Sequence, residues 1–144
     1  MASILVVDDD ALVRSYLTRV LTYEGHKVLT VESGEDALAC VAEQEFDLAF
    51  VDLKMGDIGG MEVISAFRQR WPDTIVIVLT GHPTLETVFE ALRQGAFDYM
   101  FKPCRIAALR ESISKGLRQR QRLVAHRAVP LQDEPESLSS RDSA

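Results

Sequence analysis

The chain is poor in several things that would announce a function outright. Its 144 residues include only 2 cysteines, too few for a disulfide framework, so Cys40 and Cys104 read as reduced thiols. No apolar run approaches the roughly 20 residues that a membrane-spanning helix needs. The start, Met1-Ala2-Ser3-Ile4, lacks the basic stretch that opens a signal peptide. These absences lead to the expectation of a cytoplasmic protein with no membrane partner. Histidine is scarce too, and His26 and His126 read as exposed polar positions without partners. Basic charge is missing where a nucleic-acid surface would need it. Residues 1–103 carry 8 basic and 17 acidic side chains, which argues against direct nucleic-acid binding.

What is present is an alternation of short β-type runs and amphipathic helical segments. Ile4–Val7, Lys27–Val31, Leu48–Val51, Thr74–Leu79 and Asp98–Phe101 read as strands. Between them, Leu12, Val13, Tyr16, Leu17, Val20 and Leu21 recur on one helical face. Ala37, Leu38, Val41 and Ala42 do so behind a Ser33 cap. Met61, Val63, Ile64 and Phe67 form a third stripe, closed near Trp71-Pro72, with Trp71 as a lid on the core. Leu85, Val88, Phe89 and Leu92 line a fourth helix with Pro83 in its first turn. Ile106, Leu109, Ile113 and Leu117 line a fifth. Five βα units with nearly continuous apolar strands imply a parallel sheet covered on both faces. Strand orders 2-1-3-4-5 and 3-2-1-4-5 both fit, and ligands bind such sheets beyond the carboxyl ends of the strands.

The polar residues cluster at those ends. Asp8, Asp9 and Asp10 follow the first strand, Asp52 the third, Thr80 the fourth and Lys102 the fifth. In order 2-1-3-4-5 the first, third, fourth and fifth strands are neighbours, so one crevice receives carboxylates, a hydroxyl and an ammonium. Like charges about 4 Å apart cost roughly 4 kcal/mol per pair at an effective dielectric of about 20, and a bound cation offsets that. Hard carboxylate oxygens suit Mg²⁺. An aspartate can take a phosphoryl group as an acyl phosphate, with a lysine and a hydroxyl stabilising the transferring oxygens.

The stretches Ile4-Leu5-Val6-Val7-Asp8-Asp9-Asp10, Val51-Asp52-Leu53-Lys54-Met55, Val78-Leu79-Thr80-Gly81 and Gly95–Pro103 resemble the receiver domain of bacterial two-component response regulators. The likeness covers about residues 3–122. It implies a flavodoxin-like doubly wound (βα)5 fold, α/β, with a parallel five-stranded sheet in order 2-1-3-4-5. It implies Asp52 as phosphoacceptor, with Thr80 and Lys102 beside it. Mg²⁺ would be held by Asp8, Asp9, Asp52 and the backbone carbonyl of Lys54. Thr80 and Tyr99 match the family's switch pair, and Lys102-Pro103 a bond that is usually cis. Lys54 and His82 occupy positions expected to tune the lifetime of the phosphate. Asp10 is read as a helix cap.

By the same resemblance the partner is a sensor histidine kinase or a phosphotransfer protein, and the fourth helix, fifth strand and fifth helix form the responding face, open to a homodimer. The family's proline after Met55 is replaced by Gly56, which loosens that loop. Residues 1–122 are expected to form the receiver. Arg118, Arg120, Arg122 and Arg127 are expected to extend the fifth helix as a solvated basic end, and residues 123–144 to form the end of that helix and a polar tail, disordered over 128–144. Two rivals were weighed. Asp8-x-Asp10 also resembles the nucleophile motif of haloacid-dehalogenase-type phosphatases, with Asp8 as nucleophile, but no cap domain or late acidic pair accompanies it. A flavodoxin-like FMN carrier would need hydroxyls and glycines in the first loop, where three aspartates would repel phosphate.

Overall fold

The computed structural model describes residues 1–127; the expectation of a disordered tail over 128–144 lies outside them. The elements follow in the order β1 (Ser3–Val7), α1 (Ala11–Tyr23), β2 (Lys27–Val31), α2 (Gly34–Glu43), β3 (Leu48–Val51), α3 (Gly60–Arg70), β4 (Ile75–Thr80), α4 (Leu85–Arg93), β5 (Asp98–Phe101) and α5 (Ile106–Arg127). All strand pairs are parallel, in the order β2-β1-β3-β4-β5, and the alternative order is excluded.

Side chains alternate across a strand, and this splits the apolar runs into two cores. Leu5, Val7, Ala49, Val51, Val76 and Val78 face one way and pack with Ala37, Val41, Val63, Ile64, Phe67 and Ala91 from α2, α3 and α4. Ile4, Val6, Leu48, Phe50, Ile75 and Ile77 face the other way, against Leu17, Leu21, Leu109 and Ile113 from α1 and α5. Both faces of the central strands are therefore buried, which is why β3 and β4 tolerate no polar residue before their ends.

Caps set the helix starts. Asp10 Oδ1 accepts from Leu12 N at 2.9 Å and Ser33 Oγ from Asp36 N at 3.1 Å, as the sequence predicts. Trp71 packs on the α2–α3 side of the core and donates from Nε1 to the Val41 carbonyl at 2.8 Å. Pro83 differs from expectation: Thr84 is the N-cap of α4, so the proline stands before the helix. The apolar stripes of α1 and α4 are also less buried than their periodicity predicts. Leu12 and Tyr16 are exposed on α1, and α4 packs through Ala91 while Leu85, Phe89 and Leu92 face outward. Periodicity reports an amphipathic face; it does not report whether the chain itself covers that face.

The end of α5 corrects the solvated reading. Arg120 is half-buried against the amino end of the sheet, its Nε donating to Asp47 Oδ1 at 2.7 Å and its Nη atoms to Glu45 Oε2 at 3.1 Å and the Asp73 carbonyl at 3.0 Å. Arg127 pairs with Glu45 and Asp73. Arg118 and Arg122 remain exposed and, among the described residues, bond to Ser114 and Gln119 of their own helix. His26 also has a partner: its Nδ1 accepts from Ala2 N at 3.2 Å.

Candidate functional site

Sheet register builds the site. Val7 pairs with Val51, Val51 with Val78, and Val78 with Tyr99. Asp8 and Asp52 are each one step beyond that row, Thr80 two and Lys102 three. The neighbours thus leave the sheet at staggered heights around one crevice. Backbone bonds fix the exits: Asp52 N donates to the Val7 carbonyl at 2.9 Å and Lys102 N to the Thr80 carbonyl at 2.9 Å. The loop after Asp52 is pressed close to α3. A Cβ on Gly60 would come within 2.4 Å of the Asp52 carbonyl oxygen, so a residue without a side chain is required there. Gly56 has φ +28, a left-handed backbone that proline cannot adopt.

The charged groups converge. Lys102 Nζ lies 2.8 Å from Asp8 Oδ2 and 3.2 Å from Asp52 Oδ2. Asp8 is 2% exposed and Asp52 5%, while Asp9 is open to solvent. One carboxylate oxygen from each of Asp8, Asp9 and Asp52 lies within 4.8 Å of the others. Asp8 Oδ1 accepts from Asp10 N at 2.8 Å, and Asp52 Oδ1 from Lys54 N at 3.4 Å. Burial pushes the Asp8 carboxyl above its ordinary value, and the Asp52 charge adds to that. The bonds from Lys102 and the Asp10 amide oppose the shift without cancelling it. Burial alone would depress the Lys102 ammonium, but its bond to Asp8 and the Asp52 and Asp8 charges outweigh this and raise it. Lys102 is therefore a fixed cation at neutral pH. Its one charge faces three carboxylates, a donor set of hard oxygens that fits Mg²⁺.

Around this centre, Thr80 is fully buried and its Oγ1 accepts from His82 N at 3.3 Å. The side chains of Lys54 and His82 stand exposed beside it. Tyr99 is half-buried, stacked edge-on to Phe101 at 5.8 Å between centroids, and its hydroxyl lies 2.8 Å from Thr87 Oγ1 on α4. Lys102-Pro103 is cis. Burial pushes the Cys104 thiol up, which suits an unreactive thiol. The structure brings every residue picked from the strand ends into the crevice or onto its rim. Sequence reasoning missed the Arg14 guanidinium, which donates to the Asp8 carbonyl at 2.8 Å, and the Thr87 contact of Tyr99. Nothing local in the sequence ties Thr87 to a strand residue 12 positions away.

Comparison with known proteins agrees with this geometry. The response regulator receiver domain family matches residues 4–114. The alginate biosynthesis transcriptional regulatory protein AlgB of Pseudomonas aeruginosa is 36% identical over 131 residues, covering 91% of this chain and 29% of that protein. The transcriptional regulatory protein ZraR of Salmonella typhimurium is 37% identical, covering 79% of this chain and 26% of its own length. The chain thus spans less than a third of these relatives. A CheY-like receiver domain protein from Methanospirillum hungatei JF-1 superposes with a TM-score of 0.82 at 29% identity, over 85% of this chain and 98% of that one. Nothing in these likenesses supports the phosphatase alternative. A parallel sheet in order 2-1-3-4-5, an acidic crevice closed by one lysine and these relatives lead to one conclusion: the chain belongs to the response regulator receiver domain family and acts as a phosphoacceptor in two-component signalling.

Proposed function

We propose that Asp52 is the phosphoacceptor and that the donor is the phosphohistidine of a sensor histidine kinase or phosphotransfer protein. The observation that carries this reading is the convergence of the Asp8, Asp9 and Asp52 carboxylates in one crevice, where the Lys102 ammonium pairs with Asp8 and Asp52. An Asp52 carboxylate oxygen forms the new O–P bond as the donor's N–P bond breaks and the imidazole leaves. No general base is required, because a carboxylate is already ionised near neutral pH. Lys102 holds a phosphoryl oxygen through Nζ, and Thr80 reaches another once its hydroxyl leaves the His82 amide. Asp8, Asp9, Asp52 and the Lys54 carbonyl would hold Mg²⁺. Bound there, the ion supplies positive charge to the equatorial phosphoryl oxygens. Lys54 shields the acyl phosphate from water and His82 borders the other side, so both set its lifetime. Self-phosphorylation and slow self-dephosphorylation are the only chemistry this reading assigns.

The output face is α4, β5 and α5. Phe89 is 58% exposed, and Leu85 and Leu92 on α4, Phe101 on β5 and Ile106 on α5 are exposed as well. A patch of this kind marks an interaction site, and a second copy of the chain is the occupant this reading assigns to it. No helix among the described residues is long and apolar enough to cross a membrane. The reading places the chain in the cytoplasm and gives it no direct nucleic-acid contact.

The test is to treat the full chain with acetyl phosphate, with Mg²⁺ or with EDTA, and map the adduct by mass spectrometry. The expected result is phosphate on the peptide carrying Asp52, formed with Mg²⁺ and lost with EDTA or in Asp52→Asn. An adduct on Asp8 would overturn the assignment. Size-exclusion chromatography before and after phosphorylation reads the second part, with a shift to a dimer expected and weakened by Phe89→Asp.

A further inference from the structure

Tyr99 and Thr80 are tied to opposite ends of one short loop. The segment Gly81–Thr84 is exposed throughout, so little packing holds it. At its start the Thr80 hydroxyl accepts from His82 N. At its end Thr84 caps α4 through a reciprocal pair: Thr87 N donates to Thr84 Oγ1 at 3.1 Å, and Thr84 N donates to Thr87 Oγ1 at 3.1 Å. Thr87 Oγ1 also lies 3.0 Å from the Thr84 carbonyl and 2.8 Å from the Tyr99 hydroxyl.

Thr87 Oγ1 takes the Thr84 amide and lies within hydrogen-bond distance of the Thr84 carbonyl, the Thr84 hydroxyl at 3.0 Å and the Tyr99 hydroxyl. A threonine hydroxyl has one hydrogen and two lone pairs, so these partners share it. The contacts form one chain linking Tyr99, Thr87 and Thr84. Hydrogen bonds in such a chain strengthen one another. Displacing Tyr99 weakens the cap of α4, and loosening the loop frees Tyr99.

We propose that Thr87 is a positioning residue of the switch: it holds Tyr99 in its unphosphorylated place and couples the ring to the loop that carries the partner of Thr80. The proposal rests on the reading of Asp52, Thr80 and Tyr99 given above and adds the residue through which the last two communicate. The bond is made while the Thr80 hydroxyl is held by the His82 amide, so removing it lowers the cost of leaving that arrangement.

The test is calorimetric titration of the full chain with beryllofluoride, a phosphoryl mimic, in Mg²⁺. Thr87→Val is expected to bind about two- to tenfold more tightly than wild type, the span of one net hydrogen bond. Tyr99→Phe keeps the cap pair intact and is expected to tighten binding by a similar factor. The double variant should equal Thr87→Val, because Tyr99→Phe then has no bond left to remove, and Thr87→Ser should restore wild-type affinity. A purely structural role would lower the melting temperature of Thr87→Val and leave the affinity unmoved, which would overturn the proposal. Additive effects in the double variant, or weaker binding in Thr87→Val, would overturn it as well. Failure of the underlying reading looks different: wild type would not bind the mimic, or Asp52→Ala would still bind it, and the proposal would fall with that reading.

Discussion

At the carboxyl end of the sheet Asp8 and Asp52 share one ammonium, Lys102, and Asp9 stands beside them. At the amino end Glu45, Asp47 and Asp73 share two guanidinium groups, Arg120 and Arg127. The acids are similar in number and the outcomes opposite. At the amino end each carboxylate meets a planar fork, and Asp47 Oδ2 also accepts from Ser3 N at 2.7 Å. The cluster is closed, and it fastens the last turns of α5 to the start of β1 and to the loop before β4. At the carboxyl end Asp9 has no hydrogen bond or ion pair among the described residues, and burial raises the Asp8 carboxyl. That cluster is held together by strand register rather than by its own charges. A closed acidic cluster fixes structure; an under-neutralised one is poised to take a cation and then an anionic phosphoryl group.

The comparison can be broken most forcefully by adding the cation. Mg²⁺ at a hundredfold above its dissociation constant should stabilise wild type by about 2.7 kcal/mol, read as a rise in thermal midpoint over an EDTA control. Asp9→Asn removes a solvent-facing ligand without touching the Lys102 pairs, and most of that rise should vanish. Arg120→Ala should keep the full rise, because its cluster lies at the other end of the strands. Equal loss in both variants would mean that the two ends are not independent.

The amino end should respond to cation removal instead. Arg120 has a side chain 12% exposed and joins two carboxylates and a carbonyl. Exposed pairs contribute about 0–1 kcal/mol, and breaking a buried pair costs about 3–5 kcal/mol. Arg120→Ala sits between, at about 2 kcal/mol, or roughly 5–10 °C in thermal midpoint for a domain of this size. Arg118→Ala is the control. Among the described residues it bonds within its helix, and it should change stability by less than about 0.5 kcal/mol.

The same contrast explains what could be read from the sequence. The carboxyl end was legible because strand ends are local features. Asp8, Asp52, Thr80 and Lys102 each follow an apolar run, and parallel register brings such positions together whatever the loops do. The amino end was not legible, since the Arg120–Asp47 bond joins residues 73 apart in the chain and arginines late in a helix look alike whether solvated or paired. On α4 the stripe Leu85-Val88-Phe89-Leu92 read as core, yet the small Ala91 makes the packing contact. An apolar face kept for a partner has the same period as one kept for the core. The matching caps Asp10 and Ser33 were legible because capping is decided within three residues.

His26 sharpens the comparison with the smallest expected effect, through pH. It lies at the amino end, where its Nδ1 accepts from Ala2 N. Burial lowers its pKa first, and the positive N-terminus lowers it further; the Glu24 and Asp47 charges pull the other way without prevailing. Asp47 is also the partner of Arg120, so part of its field is already spent on the guanidinium. Above pH 6.5 the imidazole is neutral in both folded and unfolded chains, and its contribution is fully present. As pH falls through 6.5, the unfolded chain takes the proton first, and stability drops until the folded histidine also titrates. Protonation turns Nδ1 from acceptor to donor and breaks the Ala2 bond. His26→Gln keeps an acceptor but has no such titration. In EDTA, the thermal midpoint of wild type should therefore fall more than that of His26→Gln between pH 7.5 and pH 5.5. A parallel fall in the two proteins would place the acid sensitivity outside His26. Asp8 cannot mimic the effect, because a carboxyl raised by burial binds its proton more readily when folded and so adds stability as pH falls.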